Sequence, residues 1–86
     1  MRVGYSRKFK KQYKKLPKFI RDRFDNRLKI FQDNPKSLSL GTHKLHGKFR
    51  DSYSINVTGD IRAVFDHVSP TKVEFVTIGS HSELYS

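Results

Sequence analysis

The sequence predicts an α+β fold, in which two N-terminal helices pack on one face of a twisted antiparallel sheet of about four strands. Three observations support this prediction. Apolar residues in the first 35 positions recur with the 3.6-residue period of a helix, whereas those after residue 50 alternate with a period of two. Turns containing glycine or proline separate the alternating stretches, as in consecutive hairpins. The 86 residues suffice for one domain, which we assign to residues 1–86.

The chain is predicted to begin with a short strand at residues 2–5, followed directly by a helix. Ser6 suits the N-cap of this helix, because its hydroxyl can accept a hydrogen bond from a first-turn N–H. Phe9, Tyr13 and Leu16 then recur at i, i+4 and i+7. This spacing predicts one apolar helical face, with lysines covering the others.

A second helix is predicted to follow Pro17, which ends the first and suits the first turn of another. Its apolar stripe recurs at i, i+4, i+8 and i+11 and comprises Ile20, Phe24, Leu28 and Phe31. Residues 33–35 close it, because the residue before a proline avoids the helical region. Residues 35–41 are predicted to form a loop.

The second half of the chain is predicted to fold into hairpins. Apolar and polar residues alternate over 52–57, and a tight turn is expected at 58–60, where glycine tolerates positive φ. The next strand is predicted at 61–66, a second turn at 69–72, and the last strand at 72–78.

Composition restricts the classes of protein to which the chain can belong. It contains no cysteine, so disulfides and thiolate metal sites are excluded. No stretch approaches the roughly 18 apolar residues of a membrane span, and no signal peptide opens the sequence. We therefore expect a cytoplasmic protein without a membrane association.

Charge is distributed very unevenly along the chain, whose net charge is +10. Residues 1–50 carry 16 Lys and Arg against three Asp and Glu, whereas residues 51–86 carry two against five. A field of this size attracts polyanions, so nucleic acid or an acidic protein is the expected partner. The alternative is an ordinary solvated helical face, as most charge runs are.

Common catalytic motifs are absent: the sequence has no GxGxxG, Walker-type loop, HExxH or GxSxG. The spacing of His43 and His46 suggests a metal site, but a catalytic zinc needs about three protein ligands. The neighbouring Lys44, Lys48 and Arg50 would repel a cation. We therefore predict neither a metal nor a cofactor.

Six residues form the strongest candidate for acid–base chemistry: His43, His46, Asp60, Arg62, His81 and Tyr85. Histidine is the side chain best suited to proton transfer near neutral pH. Arginine can bind phosphate oxygens through two parallel hydrogen bonds. Because RNA carries its own nucleophile, the 2′-hydroxyl, its cleavage requires only a base, an acid and a cation at the scissile phosphate.

Each candidate also has a purely structural interpretation. His46 is equally well explained as a surface residue, and we interpret His67, which lies beside a turn, as structural. Asp60 follows a glycine, where an aspartate commonly stabilises the turn. Tyr85 can pack back onto the sheet. Arg62 and His81 are the hardest to explain structurally.

Three segments resemble a known family. They are H-x-L-x-G-x-x-R-D at residues 43–51, G-D-I-R-A-V-F at 59–65 and I-G-S-H-S-E-L-Y at 78–85. With the basic helical hairpin before them, they resemble the RelE/ParE superfamily of bacterial type II toxins, and within it the YafQ-like mRNA interferases. The resemblance covers nearly the whole chain, and the last two segments are its most specific parts.

The resemblance implies a microbial-RNase-like RelE fold and cleavage of mRNA in the ribosomal A site without a metal. By position, His81 matches the essential C-terminal histidine of the family, and Tyr85 the aromatic residue that stacks on or protonates the substrate. His43 matches the histidine before x-Leu-x-Gly, Asp60 a functional acid, and Arg62 the phosphate-binding arginine.

The sequence also departs from the family: Ser54 and Asn56 stand where many relatives have arginine or histidine. If Asn56 replaces a histidine, His46 can compensate. Alternative functions are a ParE-like DNA gyrase inhibitor, a degenerate toxin and a basic binding module without catalysis; the pairing of His81 with Tyr85 favours the nuclease.

The resemblance also implies the partners of the chain. These are mRNA, the ribosome with its 16S-type rRNA, and a cognate acidic antitoxin. The chain alone is expected to be a monomer, and to form a hetero-oligomer with its antitoxin. The RNA-binding residues are predicted to be Lys10, Lys11, Lys14, Lys44, Lys48 and Arg50.

Overall fold

The structure is a computed structural model that describes residues 1–49 and 51–85. The elements in chain order are β1 (Arg2–Tyr5), α1 (Arg7–Lys15), α2 (Lys18–Asp33), β2 (His43–Lys44), β3 (Tyr53–Asn56), β4 (Ile61–Ser69), β5 (Lys72–Ser80) and α3 (His81–Tyr85). Single 3-10 turns occupy Leu38–Leu40 and Gly47–Phe49. The predicted α+β class, with two N-terminal helices against a sheet, is confirmed.

The sheet has five strands in the order β1-β5-β4-β3-β2. Strands β3 to β5 form the predicted antiparallel meander, and β2 pairs antiparallel with β3. Strand β1, however, pairs with β5 in parallel, with Val3 opposite Val73, so the sheet is mixed. The two-residue strand β2 adds the fifth member at the opposite edge. It is too short for any alternation of apolar and polar residues to reveal it.

The helices begin and end as the sequence predicts. The Ser6 hydroxyl accepts a hydrogen bond from the N–H of Phe9 at 3.0 Å and caps α1. Leu16 is extended because Pro17 follows it, and α2 then begins at Lys18. Among the described residues, no helix has the length and apolar character that crossing a membrane requires.

The main core lies between the helices and the sheet and is built largely of phenylalanines. Phe75 on β5 is fully buried. Its ring centroid lies 5.3 to 5.8 Å from those of four other rings, Phe9, Phe24, Phe31 and Phe65. Such tilted and edge-on contacts suit the quadrupoles of aromatic rings. Because these aromatic side chains are large, a small number of them fills the core, although only 35% of the residues are hydrophobic.

A second, smaller cluster covers part of the opposite sheet face and anchors the last helix of the chain. It consists of Leu45, Val64 and Leu84, with Phe49 and Val76 packed against them. The sequence predicts that the last strand ends at Ile78. Instead β5 continues to Ser80 and the chain enters α3 directly. Leu84 is buried because it anchors α3 on this second cluster.

Candidate active site

Helix α3 begins with a reciprocal pair of hydrogen bonds between Ser80 and Glu83. The N–H of Ser80 donates to Oε1 of Glu83 at 2.7 Å, and the N–H of Glu83 donates to Oγ of Ser80 at 3.1 Å. This arrangement is a capping box, which satisfies N–H groups that the first turn leaves free. The backbone N–H of Ser80, and then its hydroxyl, lower the pKa of the Glu83 carboxyl below its ordinary value. The box fixes the direction in which α3 leaves the sheet.

Gly79 is the last residue before this capping box, and it leaves room for the Glu83 side chain. A Cβ atom at position 79 would lie 3.2 Å from Oε1 of Glu83 and 3.5 Å from its Cβ. The first of these distances is tighter than ordinary van der Waals contact. The glycine therefore allows the carboxylate to fold back against the end of β5.

The capped helix presents His81 and Tyr85 on one exposed face. The two residues are four apart and so lie one above the other, with ring centroids at 4.7 Å. The Phe49 ring meets the Tyr85 ring edge-on at 5.8 Å, and Nζ of Lys48 lies 5.2 Å from the centroid of Phe49. The side chains of His81, Tyr85, Phe49 and Lys48 thus follow one another on the surface, and we call them the His81–Tyr85 row.

Arg62 lies on β4 opposite Gly79, two residues before His81 in register. Its Nη1 donates to the carbonyl oxygens of Thr58 and Gly59, both at 3.1 Å, and to that of Ile61 at 3.4 Å. The guanidinium therefore holds the β3–β4 turn. Within the described residues, Nε and Nη2 have no partner.

His43 is exposed on the edge strand β2, opposite Ser54. Its Nδ1 lies 2.8 Å from the carbonyl oxygen of Gly41. Because a carbonyl oxygen can only accept, Nδ1 carries the hydrogen and the neutral ring has its lone pair on Nε2. Two strands lie between β2 and β5, so the backbone of His43 is about 14 Å from β5 at the usual strand spacing.

Asp60 and His46 are both exposed and lie outside the His81–Tyr85 row. Asp60 is at the tip of the β3–β4 turn, and its N–H donates to the Thr58 hydroxyl at 3.3 Å. His46 follows the buried Leu45 and precedes Gly47. The structure therefore brings His81 and Tyr85 into contact, but puts Asp60 and His46 on separate loops. Among the described residues, no three His, Asp or Glu side chains are grouped as metal ligands would be.

Two strand residues, Ser54 and Asn56, occupy the positions at which the family resemblance implies arginine or histidine. Ser54 is buried on β3, and Asn56 is paired with Arg62 on β4. The side chain of Asn56 packs against Gly41, which adopts a φ of 58°. Its Oδ1 is buried without a hydrogen-bond partner in the described part of the chain.

The predicted RNA-binding residues fall on different surfaces. Lys48 is part of the His81–Tyr85 row, and Lys44 is exposed at the sheet edge. Lys10 and Lys14 line a separate cleft of about 460 Å³ beside the helical hairpin. Lys11 is exposed on α1, and Arg50 lies outside the described residues.

The contact of Phe49 with Tyr85 and the capping box were not predicted from the sequence. The box has a recognisable local signal, the S-x-x-E spacing of Ser80 and Glu83. Phe49 has no comparable signal, because its contact with Tyr85 depends on the packing of Leu45 and Leu84 on Val64.

Comparisons with known proteins identify the family of the chain through a family model and its fold through solved structures. A family model described as the ParE toxin of the type II toxin–antitoxin system parDE matches residues 3–85. YafQ from Escherichia coli strain BL21(DE3) has the same fold, with a TM-score of 0.82 at 18% identity over the whole of both chains. No curated protein matches the sequence.

Two further solved structures have this fold. The YoeB/ParE toxin of Agrobacterium tumefaciens gives a TM-score of 0.77 at 14% identity, over 94% of this chain and 99% of that one. A chain of the RelB-RelE antitoxin–toxin complex of Methanococcus jannaschii gives 0.75 at 23% identity, over 96% and 95%.

Proposed function

Because the chain belongs to the ParE toxin family of type II toxin–antitoxin systems, we propose that it is an endoribonuclease that cleaves mRNA and so inhibits translation. The observation that carries this proposal is the exposed contact between His81 and Tyr85 on α3. A group able to transfer protons is thereby placed beside aromatic rings on which an RNA base can stack. Lys48 adds positive charge at the same place.

The proposed reaction is a transesterification within the RNA. A base removes the proton from a 2′-hydroxyl, and the 2′-oxygen attacks the adjacent phosphorus. The bond from phosphorus to the 5′-oxygen breaks, and an acid protonates that oxygen. The products are a 2′,3′-cyclic phosphate and a 5′-hydroxyl. General acid–base catalysis of this kind contributes roughly 10²–10⁴-fold.

The proton transfers are assigned to His81 and a counterpart, His43 or Tyr85. The hydrogen bond from Nδ1 of His43 to Gly41 supports a role as base, because it leaves the Nε2 lone pair free to accept a proton. His81 then supplies the proton to the leaving oxygen. Asp60 and His46, each exposed on its own loop, are secondary candidates for the same chemistry.

Arg62 is proposed to stabilise the charge that develops on the phosphate. Its three backbone contacts all use Nη1, and they hold the guanidinium rigidly at the β3–β4 turn. Nε and Nη2, which have no partner within the described residues, form the planar pair that binds phosphate oxygens. A donor held in advance in this way loses little conformational freedom in the transition state.

The proposed partners are the ribosome and an acidic antitoxin. The net charge of +10 favours both, since rRNA and an acidic protein are each attracted over a long range. Among the described residues the only ion pair is Lys18–Asp22, so most of the other cations are free for a partner. Lys10, Lys11, Lys14 and Lys44 are assigned to RNA contacts. The RelB-RelE structure is of an antitoxin–toxin complex, as is that of DinJ-YafQ from E. coli.

The test is to map mRNA cleavage by primer extension in a translating extract, with the wild type and the His81→Ala variant. His67→Gln is the matched control, because His67 packs against Tyr53 and Phe65 instead of lying in the row. We expect cleavage by the wild type and His67→Gln, and none above background by His81→Ala. Equal cleavage by all three would refute the assignment of His81.

The second candidate is inhibition of DNA gyrase, which is favoured by the ParE description of the matching family model. It predicts gyrase-dependent DNA breaks with intact mRNA in cells that express the chain. The two functions are distinguished by growth arrest: arrest that is abolished by His81→Ala supports the nuclease, whereas arrest that persists supports a gyrase inhibitor.

A further inference from the structure

A groove of about 590 Å³ lies between the junction of α1 with α2 and the end of the sheet from which α3 starts. It is lined by three lysines, Lys8, Lys15 and Lys48, and by the rings of Phe19 and Phe49. One carboxylate, that of Glu83, also lines it, and the N–H of Ser80 holds this group. Aliphatic side chains make up most of the remaining lining, so the groove is largely apolar and carries a net positive charge.

The lysines of α1 face the groove because Gln12 fixes the rotation of the helix. Its Oε1 accepts from the N–H of Ile78 at 3.0 Å, and its amide donates to the Thr77 hydroxyl at 3.0 Å. Lys8 lies four residues before Gln12 and Lys15 three after it, so all three share one side of α1. A partly buried polar contact with β5 thus orients both cations.

Phe19 is the most unusual residue of the groove. Its relative exposure is 67%, whereas four of the other phenylalanines are at most 2% exposed. A large exposed apolar side chain is informative when it lies in a cleft instead of alone on a convex surface. An exposed aromatic ring together with nearby cations is typical of surfaces that bind single-stranded nucleic acid, where bases stack and phosphates pair with lysine.

We propose that this groove binds single-stranded RNA, with Lys8 and Lys15 contacting phosphates and Phe19 stacking on a base. The proposal builds on the function above, because Phe49 both lines the groove and contacts Tyr85, so that a strand in the groove reaches the His81–Tyr85 row. An acidic peptide would also satisfy the lysines. The exposed ring of Phe19, however, offers a stacking surface to a base, and a run of carboxylates would leave that surface unused.

The test measures binding of a labelled single-stranded RNA decamer by fluorescence anisotropy at low salt, in the His81→Ala background so that the RNA stays intact. Phe19→Ala is expected to weaken binding roughly 5- to 150-fold, the range for loss of one stacked base. Leu38→Ala is the control, because Leu38 is 96% exposed outside the groove. A labelled decaglutamate peptide is the second probe, and its binding should not depend on Phe19.

The lysines are tested by the salt dependence of the same binding. Each phosphate contact contributes about 0.7 to the slope of log K against log salt for single strands, so Lys8→Gln with Lys15→Gln should lower the slope by about 1.4. Lys36→Gln, outside the groove, removes no phosphate contact and should leave the slope unchanged.

Three results would overturn the proposal. The first is that the His81→Ala parent binds no RNA, and the second is that Phe19→Ala binds RNA as tightly as this parent does. The third is that Phe19→Ala loses affinity for decaglutamate as strongly as it loses affinity for RNA. The last would indicate a surface for an acidic protein. Cleavage that requires His81, but is unaffected by Phe19→Ala, would leave the proposed function intact while refuting the groove. RNA binding that depends on Phe19, without any cleavage of mRNA, would support the groove and refute the proposed nuclease function.

Discussion

The imidazole of His81 and the phenol ring of Tyr85 are in contact on successive turns of α3, with their centroids 4.7 Å apart. The Tyr85 ring also meets the ring of Phe49 edge-on, with centroids 5.8 Å apart. This arrangement favours stacking over proton donation as the role of Tyr85.

Replacing Tyr85 distinguishes these two roles. Tyr85→Phe keeps the ring and should retain cleavage within about threefold, whereas Tyr85→Leu should lose roughly 5- to 150-fold with the stacking surface. Single-turnover cleavage of mRNA on stalled ribosomes measures both. A loss of about 10²-fold or more in Tyr85→Phe would instead identify the hydroxyl as the acid.

The capping box makes the position of α3 sensitive to acid. The pKa of Glu83 is lowered in the folded state, chiefly by the Ser80 N–H, so its ionised form stabilises the fold. This stabilisation is complete above the unfolded pKa of about 4.5 and is lost as pH falls through the lower folded value. Urea unfolding at pH 7 and pH 3 should therefore show that the advantage of the wild type over Glu83→Gln shrinks in acid.

A neutral control separates the charge of Glu83 from its geometry. Glutamine can still accept from the Ser80 N–H, so Glu83→Gln should keep α3 docked at pH 7, whereas Ser80→Ala should cost about 1 kcal/mol as a lost N-cap. The docking of α3 can be followed by the NMR signals of the Leu84 methyl groups. Identical pH profiles for the wild type and Glu83→Gln would contradict this account.

The helices and the hairpins could be predicted from the sequence because their signals are local and long. The Phe9–Tyr13–Leu16 stripe covers nearly two helical turns, and the alternation around Ile55 covers a whole strand. Such a period shows which face of a helix or strand is apolar, and this is the face that packs against the core.

Helix α3 and strand β2 could not be predicted in this way. Each is shorter than the window in which a period can be recognised, and α3 depends on the burial of Leu84 and on the Ser80 cap. The parallel pairing of β1 with β5 joins residues about 70 positions apart, and a strand's own sequence does not specify its neighbour.

The candidate site was predictable in its residue types but not in its contacts. His81 and Arg62 stand out in the sequence because they are the candidates that are hardest to explain structurally. The row that joins Tyr85 to Phe49 arises because two separate segments pack on Val64. That is a property of the fold and leaves no local pattern.

Arg62 is expected to act on the reaction more than on RNA binding. Arg62→Gln should lower the single-turnover cleavage rate roughly 10²–10³-fold, the usual effect of removing one transition-state donor. Lys72→Gln removes the only other basic residue after position 51 and serves as the control for charge. If both variants lowered cleavage equally, the contribution of Arg62 would be general electrostatics and not a phosphate contact.

Gly41 is expected to be required both for stability and for the orientation of His43. It has a φ of 58°, and a Cβ there would collide with the Asn56 side chain. Gly41→Ala should therefore cost about 1–2 kcal/mol for the left-handed backbone and about 1–3 kcal/mol more for the collision. Gly47, at a φ of 69° with open space around its Cα, is the matched control and should show only the first cost as alanine. In urea unfolding, Asn56→Ala should recover the second cost in the double variant, because only that cost depends on the neighbour. Equal losses in Gly41→Ala and Gly47→Ala would show that Asn56 does not restrict position 41.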